Sequence, residues 1–229
     1  MTFVNPLAFQ IFTLAFVSAV LCYAGISDYL TYKKRGVHEA YQSLKAQALL
    51  LGVIGVVVLG IGLWGELNWP ISTVVNGTNV LGAYNILFYD PYLMLGIVLV
   101  GFSASVMLRL NTRYVGLLAA MTGALSIYYS VNAYGLGLTK EPLTMLLLYV
   151  ALGGTAILTF PVTIFIDSMV IGPSNNSKAS KDNRLKLISL PWKLAFGCFV
   201  LFLLFAAASA ILALAIGGGA LASHLANPP

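Results

Sequence analysis

Nine consecutive residues, Tyr84-Asn85-Ile86-Leu87-Phe88-Tyr89-Asp90-Pro91-Tyr92, set three tyrosines, an asparagine and an acid-proline step against a long apolar run. An Asp at the N-cap followed by Pro at the first helical position is the chemistry a helix start prefers. Tyr84, Tyr89 and Tyr92 suit an interfacial aromatic belt. Capping needs neither Asn85 nor three phenols, so the same segment also reads as an outer polar site. There a carboxylate ringed by tyrosines would bind a cation or accept a proton.

Two further patterns carry hydroxyl chemistry. Thr122, Ser126, Ser130 and Tyr134 recur at i, i+4, as do Thr155, Thr159, Thr163 and Asp167 on the following apolar run. On helices each set occupies one slowly drifting face, and together they cover the depth of a bilayer. If the faces meet, they form a polar seam suited to water, a proton or a small solute. The plainer reading returns each hydroxyl to a carbonyl of its own helix, with Pro161 as a kink whose freed carbonyl a threonine helps satisfy.

The elements that must position these residues follow from composition. Of 229 residues, 59% are hydrophobic and 8% charged, and the mean hydropathy is +0.91. Apolar runs of about 20 residues mark membrane spans, and their unbroken rather than alternating character selects helices over a barrel. The expectation is an all-α bundle of six transmembrane helices, over about 7–30, 46–64, 91–108, 114–134, 142–166 and 193–216. Residues 65–90 read as an outer loop and 173–184, rich in Ser, Asn and Lys, as a mobile cytoplasmic loop. Residues 185–192 read as an interfacial stretch, and Gly217-Gly218-Gly219 as a hinge into a short tail. The N-terminal ten residues lack the basic region of a cleaved signal peptide, so the first helix is expected to be retained.

Orientation comes from the cations. Lys33, Lys34, Arg35, Lys45, Arg109, Arg113, Lys178, Lys181, Arg184, Lys186 and Lys193, eleven of the 12 basic residues, fall in one set of loops, and Lys140 alone in the other. The positive-inside rule then places both termini outside. The net charge of +5 is explained by these loops, so no nucleic-acid partner is expected. Asp28 and Asp167, at the cytoplasmic ends of their helices, are expected to pair with the basic loops. Small-xxx-small pairs, Gly101/Ser105, Gly116/Ala120, Ala119/Gly123, Ala206/Ala210 and Ala213/Gly217, mark close helix approach or an oligomer contact.

The sequence excludes several chemistries. With only His38 and His224, one chain cannot build a bis-histidine haem, a copper cluster or an HExxH zinc site. There is no Walker lysine motif and no serine-nucleophile elbow, so no catalytic residue, metal or cofactor is expected. Cys22 and Cys198 read as packing residues. Asn76-Gly77-Thr78 and Asn175-Asn176-Ser177 both fit the glycosylation pattern, and only Asn76 lies on the outer side.

At its Asn85-to-Tyr92 segment and in its six-helix hydropathy the chain resembles a group of archaeal polytopic membrane proteins that form a domain family of unknown function. The resemblance implies an archaeal cytoplasmic membrane and carries no activity or site residues. The functional expectation is a non-catalytic membrane component, an accessory or assembling subunit meeting other membrane subunits or copies of itself. The alternative is a channel or transporter for protons or small solutes along the seam. The orientation is testable with single cysteines and a membrane-impermeant reagent added to intact cells. Gly77→Cys is expected to react and Ser177→Cys to stay unmodified, and labelling of Ser177→Cys would invert the topology.

Overall fold

The structure, a computed structural model, describes residues 6–69, 74–75, 78–79, 81–139, 141–170 and 191–226. Its helices are α1 (Pro6–Arg35), α2 (Val37–Asn68), α3 (Leu81–Met107), α4 (Arg113–Gly135), α5 (Pro142–Val170) and α6 (Trp192–Ala226). A two-residue hairpin, β1 (Val74–Val75) against β2 (Thr78–Asn79), lies between α2 and α3. The protein is thus all-helical apart from this hairpin, and all six helices are long and apolar enough to cross a membrane. The expected mobile loop at 173–184, residues 185–190 of the expected interfacial stretch and Asn76 lie outside the described residues, and Trp192, the last residue of that stretch, is the first of α6.

Each helix packs on the next in sequence and α6 returns to α1, closing a ring. Successive neighbours run antiparallel. Gly55 of α2 meets Leu99 of α3 while Gly62 meets Leu93, and Gly116 of α4 meets Thr163 of α5 while Gly123 meets Gly153. The described Lys and Arg residues therefore gather at one end of the ring, the basic end, and the hairpin marks the other. A layer of Val17, Leu51 and Leu99, backed by Leu21, Leu95 and Phe102, fills the middle of the ring.

Two interfaces are made by glycine. On α2, a Cβ at Gly52, Gly55, Gly62 or Gly65 would run into Ser103, Leu99, Leu93 or Tyr89 of α3, and Gly96 answers against the Leu59 backbone. On α4, Gly116 and Gly123 lie on Thr163, Phe160 and the Gly153 carbonyl of α5. Without a hydrophobic drive between helices in lipid, such close backbone approach supplies the dispersion contact that holds them.

Three expected boundaries are corrected. The loop at 31–45 is a one-residue corner: α1 runs through Lys33, Lys34 and Arg35, whose charges suit a helix C-terminus, and α2 begins at Val37. Gly36 between them has φ 87° and ψ −177°, a backbone region essentially restricted to glycine. The Gly217-Gly218-Gly219 hinge is absent, because α6 continues to Ala226 with Gly217 seated on Ile11 and Phe12.

The third correction concerns Asp90-Pro91, which is no helix start. The 65–90 loop is shorter than expected, since α2 extends to Asn68 and α3 begins at Leu81 and runs straight through Pro91. An internal proline leaves the carbonyl four residues back without its amide. That carbonyl, Leu87 O, accepts a hydrogen bond of 2.6 Å from the buried Tyr149 Oη of α5. The first turns of α3 hold because Tyr84, Leu87 and Phe88 pack with Ala133 and Tyr149.

Asp167 does not pair with a basic side chain. It crosses from α5 to the start of α4, where Oδ1 accepts from the Thr112 amide (2.8 Å) and hydroxyl (2.8 Å) and Oδ2 from the Arg113 amide (3.0 Å). A carboxylate at a helix N-terminus satisfies orphan amides and meets the positive end of the dipole. Thr112, which precedes α4, makes no cap bond of its own, so the cap is supplied by the neighbouring helix. Asp167→Ala is expected to destabilise the detergent-solubilised protein by about 3 kcal/mol, and Asp167→Asn, which keeps one acceptor, by about 1 kcal/mol. A loss from Asp167→Ala no larger than that of the exposed control Ser168→Ala would show that α4 does not depend on this cap.

Candidate functional site

Near the hairpin end, α3 turns Tyr89 and Tyr92 toward the interior of the ring and holds Asp90 at its flank. Gly65 makes this possible, because any side chain there would occupy the space of the Tyr89 ring. Asp90 Oδ2 accepts a 3.0 Å hydrogen bond from Tyr129 Oη of α4. The Glu66 carboxyl, from the last turns of α2, lies in hydrogen-bond contact with the Asp90 carboxyl. Glu66 Oε1 is buried and has no donor.

Two carboxyl groups in contact cannot both be ionised without a large electrostatic penalty. Every described Lys and Arg stands at the opposite end of the ring. A shared proton or a bound cation would relieve that repulsion. Fully buried Tyr89, whose hydroxyl has no partner, faces the same group, with Glu66 and Tyr92 as its electrostatic neighbours. Tyr84 is drawn into the apolar cluster with Phe88, ring centroids 5.6 Å apart, and Asn85 is fully buried. Glu66 and Tyr129 are not legible as site residues in the sequence: Glu66 falls in the expected 65–90 loop, and nothing in the spacing of Tyr128-Tyr129 sets it against position 90.

Inward of this pair lies a cavity of about 80 Å³, bounded by α1, α3, α4 and α5 and lined by Gln10, Tyr92, Thr122, Ser126 and Tyr149 among apolar residues. Gln10 is only 2% exposed, and both atoms of its amide, like the Tyr92 hydroxyl, lack a protein partner. The space exceeds what a single water requires, and the polar atoms supply partners for one.

The two hydroxyl stripes form no seam: of α5's stripe Thr163 meets α4, at Gly116, whereas Thr122 and Ser126 of α4 line the cavity. Thr122, Ser126, Ser130, Thr155 and Thr163 are buried, Thr159 is half-buried, and Tyr134 is 48% exposed. Thr122 donates to Leu118 O, Ser126 to Thr122 O and Ser130 to Ile127 O. Thr155 donates to Ala151 O, Thr159 to Thr155 O, and Thr163 to Phe160 O. Each bond stays within its own helix, and Gly123 on the Gly153 carbonyl closes the space between them. Asp167 is 2% exposed, held by the cap rather than by water. Ser126→Ala and Thr155→Val are expected to cost less than about 1 kcal/mol each, since a local hydroxyl-to-carbonyl bond contributes little and its carbonyl keeps a helical amide. A larger loss in detergent unfolding would mean that the hydroxyls bind across the interface.

Among the described residues no group of three His, Cys, Asp or Glu side chains is placed to hold a metal ion. Cys22 and Cys198 are free and half-buried. A family model with the description "Protein of unknown function (DUF981)" matches residues 1–227. No curated protein and no solved structure matches the chain. On a match of that extent, which takes in all six helices and the Glu66–Asp90 pair, the chain belongs to the DUF981 family of proteins of unknown function.

Proposed function

We propose that the protein is a non-catalytic subunit of a membrane assembly that holds one exchangeable proton or monovalent cation between Glu66 and Asp90. The observation that carries this reading is the contact of two carboxyl groups at an end of the ring where no described Lys or Arg can neutralise them. Tyr129 already donates to Asp90, whereas Glu66 Oε1 has no donor, so Glu66 is the member left to carry the exchangeable proton. When the proton leaves, two facing carboxylates in a weakly solvated setting attract a cation. The setting we infer is an archaeal cytoplasmic membrane, with both termini outside and the carboxyl pair at the outer mouth. The distribution of basic residues supports that orientation.

A second reading, movement of protons or small solutes, is favoured by the cavity next to the pair. Its path would follow the ring axis rather than the α4–α5 interface, because the unpaired polar atoms of Gln10 and Tyr92 point there.

The test is the thermal stability of the detergent-solubilised protein. In choline chloride the unfolding temperature is expected to fall as the pH is raised and the shared proton is lost, and sodium chloride should restore it at the high-pH end. Stability here belongs to the protonated pair, so it is present at low pH and lost as pH rises. Glu66→Gln, which replaces the proton carrier by a neutral donor, should unfold at a temperature independent of sodium. A sodium effect of the same size in Glu66→Gln and in wild type would remove the site from the reading.

A further inference from the structure

A second cavity, of about 160 Å³, occupies the basic half of the ring, on the other side of the Val17–Leu51–Leu99 layer. Its walls come from α1, α2, α5 and α6, with Phe102 from α3, and they are almost wholly apolar. One wall is aromatic. Tyr29 lies 5.8 Å from both Phe196 and Phe199, and Trp192 lies 5.2 Å from Phe165 and stacks on Phe196 at 6.4 Å.

Into this apolar space the chain places one carboxylate and one amide. Asp28 is the eighth residue before Gly36, about 12 Å along α1 from the corner. Ser43 and Gln47 of α2 are its hydrogen-bond neighbours, and Gln47 Nε2 also donates to Ser43 Oγ at 3.2 Å. Asp28 Oδ1 and Gln47 Oε1 are buried and accept from nothing. The expected pairing of Asp28 with the basic segment does not occur. Lys33, Lys34 and Arg35 continue α1 past it, and Lys45 is engaged on the Tyr41 ring at 5.3 Å. Among the described residues the charged and titratable groups around the cavity are thus Asp28, Tyr29, Tyr32 and Tyr41, and none of the described Lys or Arg lines it.

Two unfilled acceptors, one of them an anion, beside stacked aromatic rings define the ligand by exclusion. A fatty acid would set a second carboxylate against Asp28. A hydrocarbon chain alone would leave both acceptors unpaired at a cost of a few kcal/mol. A protonated amine answers every feature: its N–H groups donate to the carboxylate and the amide in charge-assisted bonds, its charge is favoured over ring faces, and its carbon chain fills the apolar remainder. We propose that this cavity binds an organic ammonium ion carrying a hydrocarbon body, with Asp28 and Gln47 holding the head and the Tyr29–Phe196–Trp192 wall the chain.

Trp192 lines the cavity and reports on it. In full-length protein carrying Trp64→Phe and Trp69→Phe, so that Trp192 is the only tryptophan and is excited selectively over the tyrosines, octylamine, octanoate and 1-octanol are titrated separately in mild detergent. Octylamine is expected to change the emission saturably. Asp28→Asn should weaken it by at least about tenfold, a loss of about 1.4 kcal/mol. Gln47→Leu provides a second variant with the carboxylate intact, in which a smaller weakening is expected, and Ala40→Phe, which fills the space, should abolish the response. Octanoate should give none, and octanol a response at least about tenfold weaker than octylamine. If octylamine, octanoate and octanol act alike, or if Asp28→Asn binds octylamine as wild type does, the cavity takes hydrocarbon from its surroundings and the proposal is overturned.

Discussion

The hydrogen bond from Tyr149 Oη to Leu87 O is the contact on which the arrangement of the hairpin end depends. A carbonyl stripped of its amide by Pro91 cannot be left bare inside a membrane, where no bulk water would solvate it. Tyr149 satisfies it from across the ring and so fixes α3 against α5. With that one distance set, α3 can pass through proline without ending. Asp90 then stands beside Glu66 and Tyr129, and Tyr92 borders the cavity that holds Gln10. A residue pair with the chemistry of a helix start becomes, through a partner far away in sequence, the middle of a helix.

Glycine does the corresponding work along the lengths of the helices. The α2–α3 and α4–α5 pairs approach until side chains touch backbone, which removes the volume a solute would need between them. Several polar atoms left without partners lie instead toward the two cavities: those of Gln10, Tyr89 and Tyr92 toward the hairpin end, Asp28 Oδ1 and Gln47 Oε1 toward the basic end. Tightness at the two glycine interfaces and openness on the axis are one property, because helices drawn together in pairs leave space where the pairs face each other.

How much of this was written in the sequence depends on the range of the interaction. Six apolar runs and the distribution of cations are properties of short windows, and they indicate the six helices directly. Pro91 is ambiguous at that range, since a first-turn proline and an interior proline differ only in whether something such as Tyr149 arrives. The density of Tyr89, Asp90 and Tyr92 was visible as a site. Glu66 was not, because a carboxylate in the final turns of a helix looks like part of a polar connection. Thr155 and Ser126 show the converse limit: spacing groups each with the other hydroxyls of its own helix, but does not reveal that each hydroxyl turns back to its own backbone.

The single-residue corner at Gly36 has a mechanical consequence. With peptide bonds planar, α1 and α2 are joined through one pair of torsions, so their relative motion reduces to rotation about a fixed pivot at the basic end. Asp28 sits about 12 Å from that pivot along α1 and Gln10 about 39 Å from it. A swing that moves Asp28 by a given amount therefore carries Gln10 about three times as far. Measured along α1 from this corner, the cavity at Asp28 lies at the short radius and the cavity at Gln10 at the long one.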